Sequence, residues 1–174
     1  MARRRLLLAG LVVLGMASVA VFTLGRSGLR AVVSQWIEWQ FDGLEHRSAS
    51  VVAQQLTDGD APLLLDVRRR DEYLAGHIKG ARWVAPDSPA ASVLTPSTAD
   101  RAIVAYCSVG WRSSRLVERL RAAGHGDVSN LAGGLFEWTA QGYPVMRAGR
   151  VTTRVHGYGR PWAWLLPEAQ RVRP

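Results

Sequence analysis

The chain reads AIVAYCSVGWRS from Ala102 to Ser113, and this stretch decides the fold. Its first five residues form an uninterrupted apolar run, the pattern of a strand that is buried on both faces of a parallel sheet. A cysteine and a short loop follow, and then an amphipathic helix predicted for residues 113–123. A strand that leads through a loop into a helix is the repeating unit of an α/β protein.

The sequence on both sides of this stretch continues the alternation of short strands and helices. Further buried strands are predicted at residues 63–67, 81–84 and 127–131, and helices at 50–56, 71–76 and 135–141. Such alternation is typical of a mainly parallel sheet that is flanked by helices. We therefore expect an α/β fold.

Cys107 is the only cysteine in the chain and directly follows the apolar strand. Ligands of an open α/β sheet bind beyond the carboxyl ends of its strands, so the topology itself predicts a site here. The loop Ser108–Arg112 can direct backbone N–H groups toward the sulfur, and the next helix adds partial positive charge. Gly110 permits the positive φ that such a loop needs, and Arg112 supplies a cation for an anionic sulfur donor. The alternative is a buried cysteine that only fills space.

An apolar segment stands near the start of the chain. Leu6–Leu24 contains nineteen residues without a charge and follows Arg3, Arg4 and Arg5. A helix of that length spans roughly 28 Å, close to the thickness of a bilayer. We expect residues 1–28 to form one transmembrane anchor, with a signal peptide cleaved after Ala20 as the alternative. The arginines favour a cytoplasmic N-terminus, which makes the protein single-pass in the inner membrane with its remainder on the periplasmic side.

Two further segments flank the central region. Residues 29–45 are predicted to form a juxtamembrane amphipathic helix, whose apolar face includes Trp36, Ile37 and Phe41. This helix either lies on the membrane surface or packs against the following domain. Residues 148–174 form a tail rich in arginine and tryptophan, and its prolines argue against a long helix. Its aromatic residues predict that it packs on the domain or touches lipid.

The basic composition does not indicate a nucleic-acid partner. The formal net charge is +8, but 21 of the 22 basic residues are arginines scattered through the chain. No zinc-ligand spacing or aromatic RNA platform accompanies them. A single cysteine also excludes an intramolecular disulfide and a cysteine-rich zinc site, so we expect no metal and no cofactor.

Three motifs resemble those of the rhodanese-like sulfurtransferase superfamily, in the same order. Cys107–Ser113 is similar to its active-site loop, and NLAGGLFEW at Asn130–Trp138 to its C-terminal signature. LDVR, EY and GHIKGA within residues 65–81 resemble its N-terminal signature, although Lys79 stands where the family often has proline. The resemblance covers residues 46–147 and implies one rhodanese-like domain.

The resemblance also implies a thiosulfate sulfurtransferase-like enzyme. Cys107 is the implied catalytic nucleophile: it takes the outer sulfur of a small anionic donor, becomes a persulfide, and passes the sulfur to a thiol or to cyanide. Asp66 and Arg68 are expected to support the loop, and Trp111 to stand at an exposed rim. The residues expected to bind substrate are Ser108, Val109, Gly110, Trp111, Arg112 and Ser113.

Two other functions share this fold. One is a non-catalytic rhodanese-like binding module, which the presence of Cys107, Gly110 and Arg112 disfavours. The other is a phosphatase or an arsenate reductase. The loop from Cys107 to Arg112 has six residues, one fewer than in those phosphatases, and Tyr106 stands where they commonly have histidine. We therefore favour the sulfurtransferase.

Overall fold

A five-stranded parallel sheet lies at the centre of the protein. The computed structural model describes residues 25–96, 98 and 101–172. The strands of the sheet are β1 (Glu45–Arg47), β2 (Leu63–Asp66), β3 (Arg82–Trp83), β4 (Ile103–Tyr106) and β5 (Val128–Leu131). They pair in the order β1-β5-β4-β2-β3, and every pair is parallel.

Helices pack on both sides of the sheet. They are α1 (residues 25–40), α2 (Ala49–Asp58), α3 (Arg70–Leu74), α4 (Ala90–Val93), α5 (Trp111–Ala122) and α6 (Gly134–Ala140). The predicted α/β class, with a mainly parallel sheet flanked by helices, is confirmed.

The core has two layers, one on each face of the sheet. Alternate residues of β4 enter different layers: Ile103 and Ala105 pack with α4 and α5, whereas Val104 and Tyr106 pack with α2 and α6. All four of these side chains are buried. A strand covered on both faces has no solvent side, which explains why its sequence is continuously apolar rather than alternating.

Helix α5 begins earlier than the sequence indicated. Its first residue is Trp111 rather than Ser113, because Gly110 adopts a left-handed φ of 109° and serves as the N-cap. The carbonyl oxygen of Gly110 then accepts the N–H of Ser114 at 3.0 Å. The helix N-terminus is therefore brought two residues closer to Cys107 than predicted.

Helix α1 packs against the domain, which was one of the two expectations for this segment. Its residues Ile37 and Phe41 are buried, and the guanidinium of Arg30 donates to the Glu137 carboxylate at 3.0 Å and to the Leu165 carbonyl at 3.1 Å. The helix spans residues 25–40 rather than 29–45, since the chain turns at 41–43 and then enters β1.

The C-terminal segment also packs on the domain. Strands β6 (Val145–Arg147) and β7 (Arg150–Thr152) form an antiparallel hairpin. Strands β8 (Val155–His156) and β9 (Arg171–Val172) form a parallel pair, and helix α7 (Arg160–Ala163) lies between them in the sequence. Val155, Leu165 and Leu166 are buried in the core layer that contains α2 and α6. The described part of this segment, residues 148–172, therefore contributes to the hydrophobic core.

The predicted transmembrane segment Leu6–Leu24 lies outside the described residues. Within the described part of the chain, no helix combines the length and the apolarity that crossing a bilayer requires.

Candidate active site around Cys107

Cys107 follows β4 at the carboxyl edge of the sheet, where the topology predicted a site. Its side chain is buried, and the N–H of Gly110 donates to its Sγ at 3.2 Å. Gly110 accepts the left-handed conformation without strain, and it lies so close to Asn130 that a Cβ would stand 3.1 Å from Nδ2. The loop thus presents a backbone donor to the sulfur, as the sequence predicted.

The start of α6 holds the backbone of this loop in place. The N–H of Leu135 donates to the Cys107 carbonyl at 2.8 Å, and the N–H of Phe136 donates to the Ser108 carbonyl at 3.0 Å. Gly134 lies beneath both bonds, with a φ of 57°, and a Cβ at this position would stand 2.6 Å from the Cys107 oxygen. The second glycine of the motif Asn130–Trp138, Gly134, is therefore required by a close contact between two backbones.

A buried carboxylate organises the polar side chains of the loop. Both nitrogens of the Arg112 fork donate to Glu72, at 2.9 and 3.0 Å, and the hydroxyl of Ser108 donates to the same carboxylate at 3.2 Å. Glu72 also accepts the N–H of Arg69 at 3.0 Å. The Glu72 side chain is fully buried, whereas that of Arg112 is 20% exposed.

This pair keeps both partners ionised. Burial opposes the charge on Glu72, but the hydrogen bonds and the attraction of Arg112 outweigh it and lower the pKa of the carboxyl group. Burial likewise opposes the charge on Arg112, yet Glu72 and the neighbouring Cys107 sulfur raise the pKa of the guanidinium. The positive charge of Arg112 is consequently shared between a permanent carboxylate and the cysteine.

A cavity of about 380 Å³ opens in front of Cys107. Three parts of the chain line it: helix α1, the loop after β4, and the C-terminal segment. The lining residues are Val33, Trp36, Ile37, Cys107, Ser108, Val109, Trp111, Arg112, Tyr158 and Trp162.

Aromatic contacts join these three parts of the chain. Trp111 stacks on Trp36, with ring centroids 5.1 Å apart and planes within 7°, and meets the edge of Phe41 at the same centroid distance. Trp111 is therefore half-buried beneath α1, not at the exposed rim where we expected it. A second contact joins α5 to the C-terminal segment, because the Arg112 guanidinium lies 4.7 Å from the ring centroid of Tyr158.

The remaining residues that the sequence singled out contribute to shape. Ser113 is buried, and its hydroxyl donates to the Gly110 carbonyl at 3.1 Å, which stabilises the start of α5. Asp66 and Arg68 form a fully buried pair at 2.6 Å, and Arg68 also donates to the Gly76 carbonyl at 2.6 Å. This pair fixes the segment between α3 and β3 and does not line the Cys107 cavity.

The sequence did not indicate a role at the site for Glu72, and for the C-terminal aromatics it predicted only packing on the domain or contact with lipid. Glu72 belongs to the motif EY, but an acidic residue forty positions from Arg112 gives no local pattern that would pair the two. No group of three or more potential metal ligands occurs among the described residues.

Comparisons with known proteins agree with this geometry. Residues 48–141 match the model of the Rhodanese-like domain family. A protein named sulfurtransferase from Allochromatium vinosum is 33% identical over 95 residues, which cover 55% of this chain and 88% of that protein. An uncharacterised protein from Synechocystis is 34% identical over 94 residues, which cover 54% of this chain but only 52% of the relative.

Solved structures give the same result. The rhodanese-like domain of the Anabaena protein Alr3790 superposes with a TM-score of 0.54 at 32% identity, covering 60% of this chain and 80% of that one. A rhodanese-related protein from Thermoplasma volcanium superposes with a TM-score of 0.52 at 25% identity, covering 59% and 97%. The chain thus spans about half the length of the Synechocystis relative and most of the shorter relatives.

Proposed function

Because the chain belongs to the rhodanese-like domain family, we propose that it is a sulfurtransferase in which Cys107 carries the transferable sulfur as a persulfide. The observation that carries the proposal is the position of Sγ. It lies at the carboxyl edge of the sheet, accepts the N–H of Gly110, and faces a cavity large enough for a small substrate.

The first half-reaction loads the cysteine. The Cys107 thiolate attacks the outer sulfur of a thiosulfate-like donor, the S–S bond of the donor breaks, and sulfite leaves with the bonding electron pair. The N–H of Gly110, the start of α5 and the nearby Arg112 stabilise negative charge at the sulfur. No oxidant is needed, since the donor sulfur is already at the oxidation level of a persulfide.

The second half-reaction unloads the cysteine. A thiol or cyanide attacks the outer sulfur of the persulfide, the S–S bond to Sγ breaks, and Cys107 returns as a thiolate. Glu72 and Ser108 take no part in either bond change. Their hydrogen bonds to Arg112 fix the conformation of the loop. The N–H of Gly110 therefore remains in position to bond the sulfur in both half-reactions.

We also propose that Leu6–Leu24 anchors the protein in the inner membrane and that the domain lies on the periplasmic side. The support is the uncharged run of nineteen residues behind three arginines. Membrane fractions from cells that produce the full chain should retain it after a high-salt wash, with the N-terminus intact. A mature N-terminus at Val21 would contradict the anchor.

Steady-state sulfur transfer tests the enzymatic proposal. Purified protein with thiosulfate and cyanide should form thiocyanate, and Cys107→Ser should abolish this activity while its circular dichroism stays unchanged. Absence of thiocyanate from folded wild-type protein, with thiosulfate and with an organic persulfide as donor, would favour a binding module instead.

A further inference from the structure

The cavity in front of Cys107 is the surface that any sulfur acceptor must enter. Cys107 itself is only 1% exposed, and the residues that line the cavity in front of it include Trp36 and Trp162. Both tryptophans come from outside the segment that matches the family, which ends at residue 141 and begins at 48. Helix α1 and the C-terminal segment therefore add a wall that lies outside the segment matched by the family.

This wall is apolar. Seven of the ten lining residues are aliphatic or aromatic, and they come from all three parts of the chain that form the cavity. A wall of this kind favours the burial of hydrocarbon, because binding removes apolar surface from water. The seven are Val33, Trp36, Ile37, Val109, Trp111, Tyr158 and Trp162.

The polar groups of the cavity are already engaged. Arg112 donates to Glu72 and to the hydroxyl of Ser108, and its guanidinium lies against the ring of Tyr158. The Ser108 hydroxyl in turn donates to Glu72. The polar lining residues are therefore Cys107 and its neighbours Ser108 and Arg112. The rest of the described lining consists of aliphatic and aromatic side chains.

We propose that the sulfur acceptor is a small thiol whose organic part is apolar, an alkyl or aryl group that binds between α1 and the C-terminal segment. This rests on the proposed sulfurtransferase activity and names its substrate class. The acceptor thiolate R–S⁻ attacks the outer sulfur of the Cys107 persulfide, forming R–S–S⁻ and releasing the Cys107 thiolate with the electron pair of the broken bond. The thiol proton passes to solvent.

A series of acceptors of increasing chain length tests the proposal. Persulfidated protein is mixed with ethanethiol, butanethiol or hexanethiol, and the second-order rate constant of sulfur transfer is measured, with mercaptoethanol and mercaptosuccinate as polar references. Full burial of a methylene is worth up to roughly fourfold in binding, so we expect at least about a tenfold increase from ethanethiol to hexanethiol. A flat series, or a fastest reaction with mercaptosuccinate, would overturn the proposal.

Variants locate the effect in the wall. Trp162→Ala should reduce the ratio of the hexanethiol to the ethanethiol rate constant by roughly threefold or more, and Trp162→Phe should retain most of it. The matched control is Trp39→Ala, because Trp39 lies on α1, is 70% exposed and does not line the cavity. An unchanged ratio in Trp162→Ala would contradict the assigned position of the alkyl group.

A second measurement separates this inference from the proposed function. N-alkylmaleimides of increasing chain length modify Cys107 without any persulfide, and their rates should rise in the same order. If maleimides show the trend but neither a thiol nor cyanide discharges a persulfide, the cavity binds hydrocarbon and the acceptor assignment fails together with the sulfurtransferase. If cyanide discharges the persulfide and neither series shows a trend, the sulfurtransferase stands and the apolar acceptor is wrong.

Discussion

The guanidinium of Arg112 and the carboxylate of Glu72 form a bidentate pair, at 2.9 and 3.0 Å, between the start of α5, directly after the cysteine loop, and helix α3. The two partners differ in exposure, since Glu72 is fully buried and Arg112 is 20% exposed. The pair therefore links the loop to the body of the domain from the inside. Its main consequence is structural, because Arg112 has a permanent partner before any anionic donor arrives.

The difference in exposure predicts an asymmetric response to mutation. Arg112→Met removes the bidentate partner of the buried Glu72, which keeps the Ser108 hydroxyl and, at 3.6 Å, the Arg69 guanidinium, and it should reduce the free energy of unfolding by roughly 3 kcal/mol. Glu72→Gln should cost less, because an unpaired Arg112 can turn toward solvent. Urea denaturation measures both, with Arg115→Met, an exposed arginine of α5, as a control that stays within about 0.5 kcal/mol of wild type. A larger loss in Glu72→Gln would contradict this assignment.

The same pair predicts sensitivity to acid. The pKa of Glu72 in the folded protein lies below its ordinary value of 4.5, because Arg112 outweighs the effect of burial. The stabilisation it provides is complete above that ordinary value and is lost as the pH falls through the lower, folded pKa. The stability difference between wild type and Glu72→Gln should thus be constant from neutral pH down to that ordinary value and shrink as the pH falls below it. Urea titrations at several pH values measure this difference in the free energy of unfolding. A difference that stayed constant down to acid pH would exclude a contribution from Glu72 ionisation.

Gly134 should tolerate no side chain. Gly134→Ala forces a Cβ to within 2.6 Å of the Cys107 carbonyl, and adds the strain of a left-handed φ. The strain costs roughly 1–2 kcal/mol and the overlap a further 1–3 kcal/mol. Gly142→Ala isolates the first cost, because Gly142 has a φ of 87° and open space around it. The midpoint of thermal unfolding and the alkylation rate of Cys107 should both change much more in Gly134→Ala than in Gly142→Ala. Equal changes in the two variants would show that the close contact at Gly134 relaxes easily.

Trp111 should hold helix α1 against the site. Trp111→Ala removes a stacked contact with Trp36 and an edge contact with Phe41, each worth about 0.5–1.5 kcal/mol beyond its buried area. Hydrogen exchange at residues 33–41 should become faster while exchange in β4 stays slow. Trp39→Ala, which removes an exposed ring from the same helix, should leave the exchange of α1 unchanged. Unchanged exchange in Trp111→Ala would mean that other contacts hold the helix.

The sequence predicted the parts of the fold that have a local pattern. Strands β2 and β4 are continuous apolar runs because both faces of the sheet are covered, and Cys107 was placed at the correct edge by topology. Strand β1 was missed, since Glu45–Arg47 is a polar edge strand without apolar periodicity. The start of α5 was placed two residues late, because a left-handed Gly110 can serve as an N-cap in place of Ser113.

The site itself depends on contacts that sequence spacing does not reveal. Glu72 reaches Arg112 from forty residues away, and α1 and Tyr158 meet across the cavity from opposite ends of the chain. The aromatic residues of the C-terminal segment have no helical or strand period. Their number indicated that they are packed, and only the tertiary fold brings Tyr158 and Trp162 to the mouth of the Cys107 cavity.

The most direct test of the account is the mass of the intact protein after exposure to a sulfur donor. Wild-type protein treated with thiosulfate or an organic persulfide should gain the mass of one sulfur atom, and cyanide should remove that mass. Cys107→Ser should show neither change, and a peptide map should place the added sulfur on Cys107. An unchanged mass in folded wild-type protein with every donor, or a gain that persists in Cys107→Ser, would contradict the claim that this cysteine carries the sulfur.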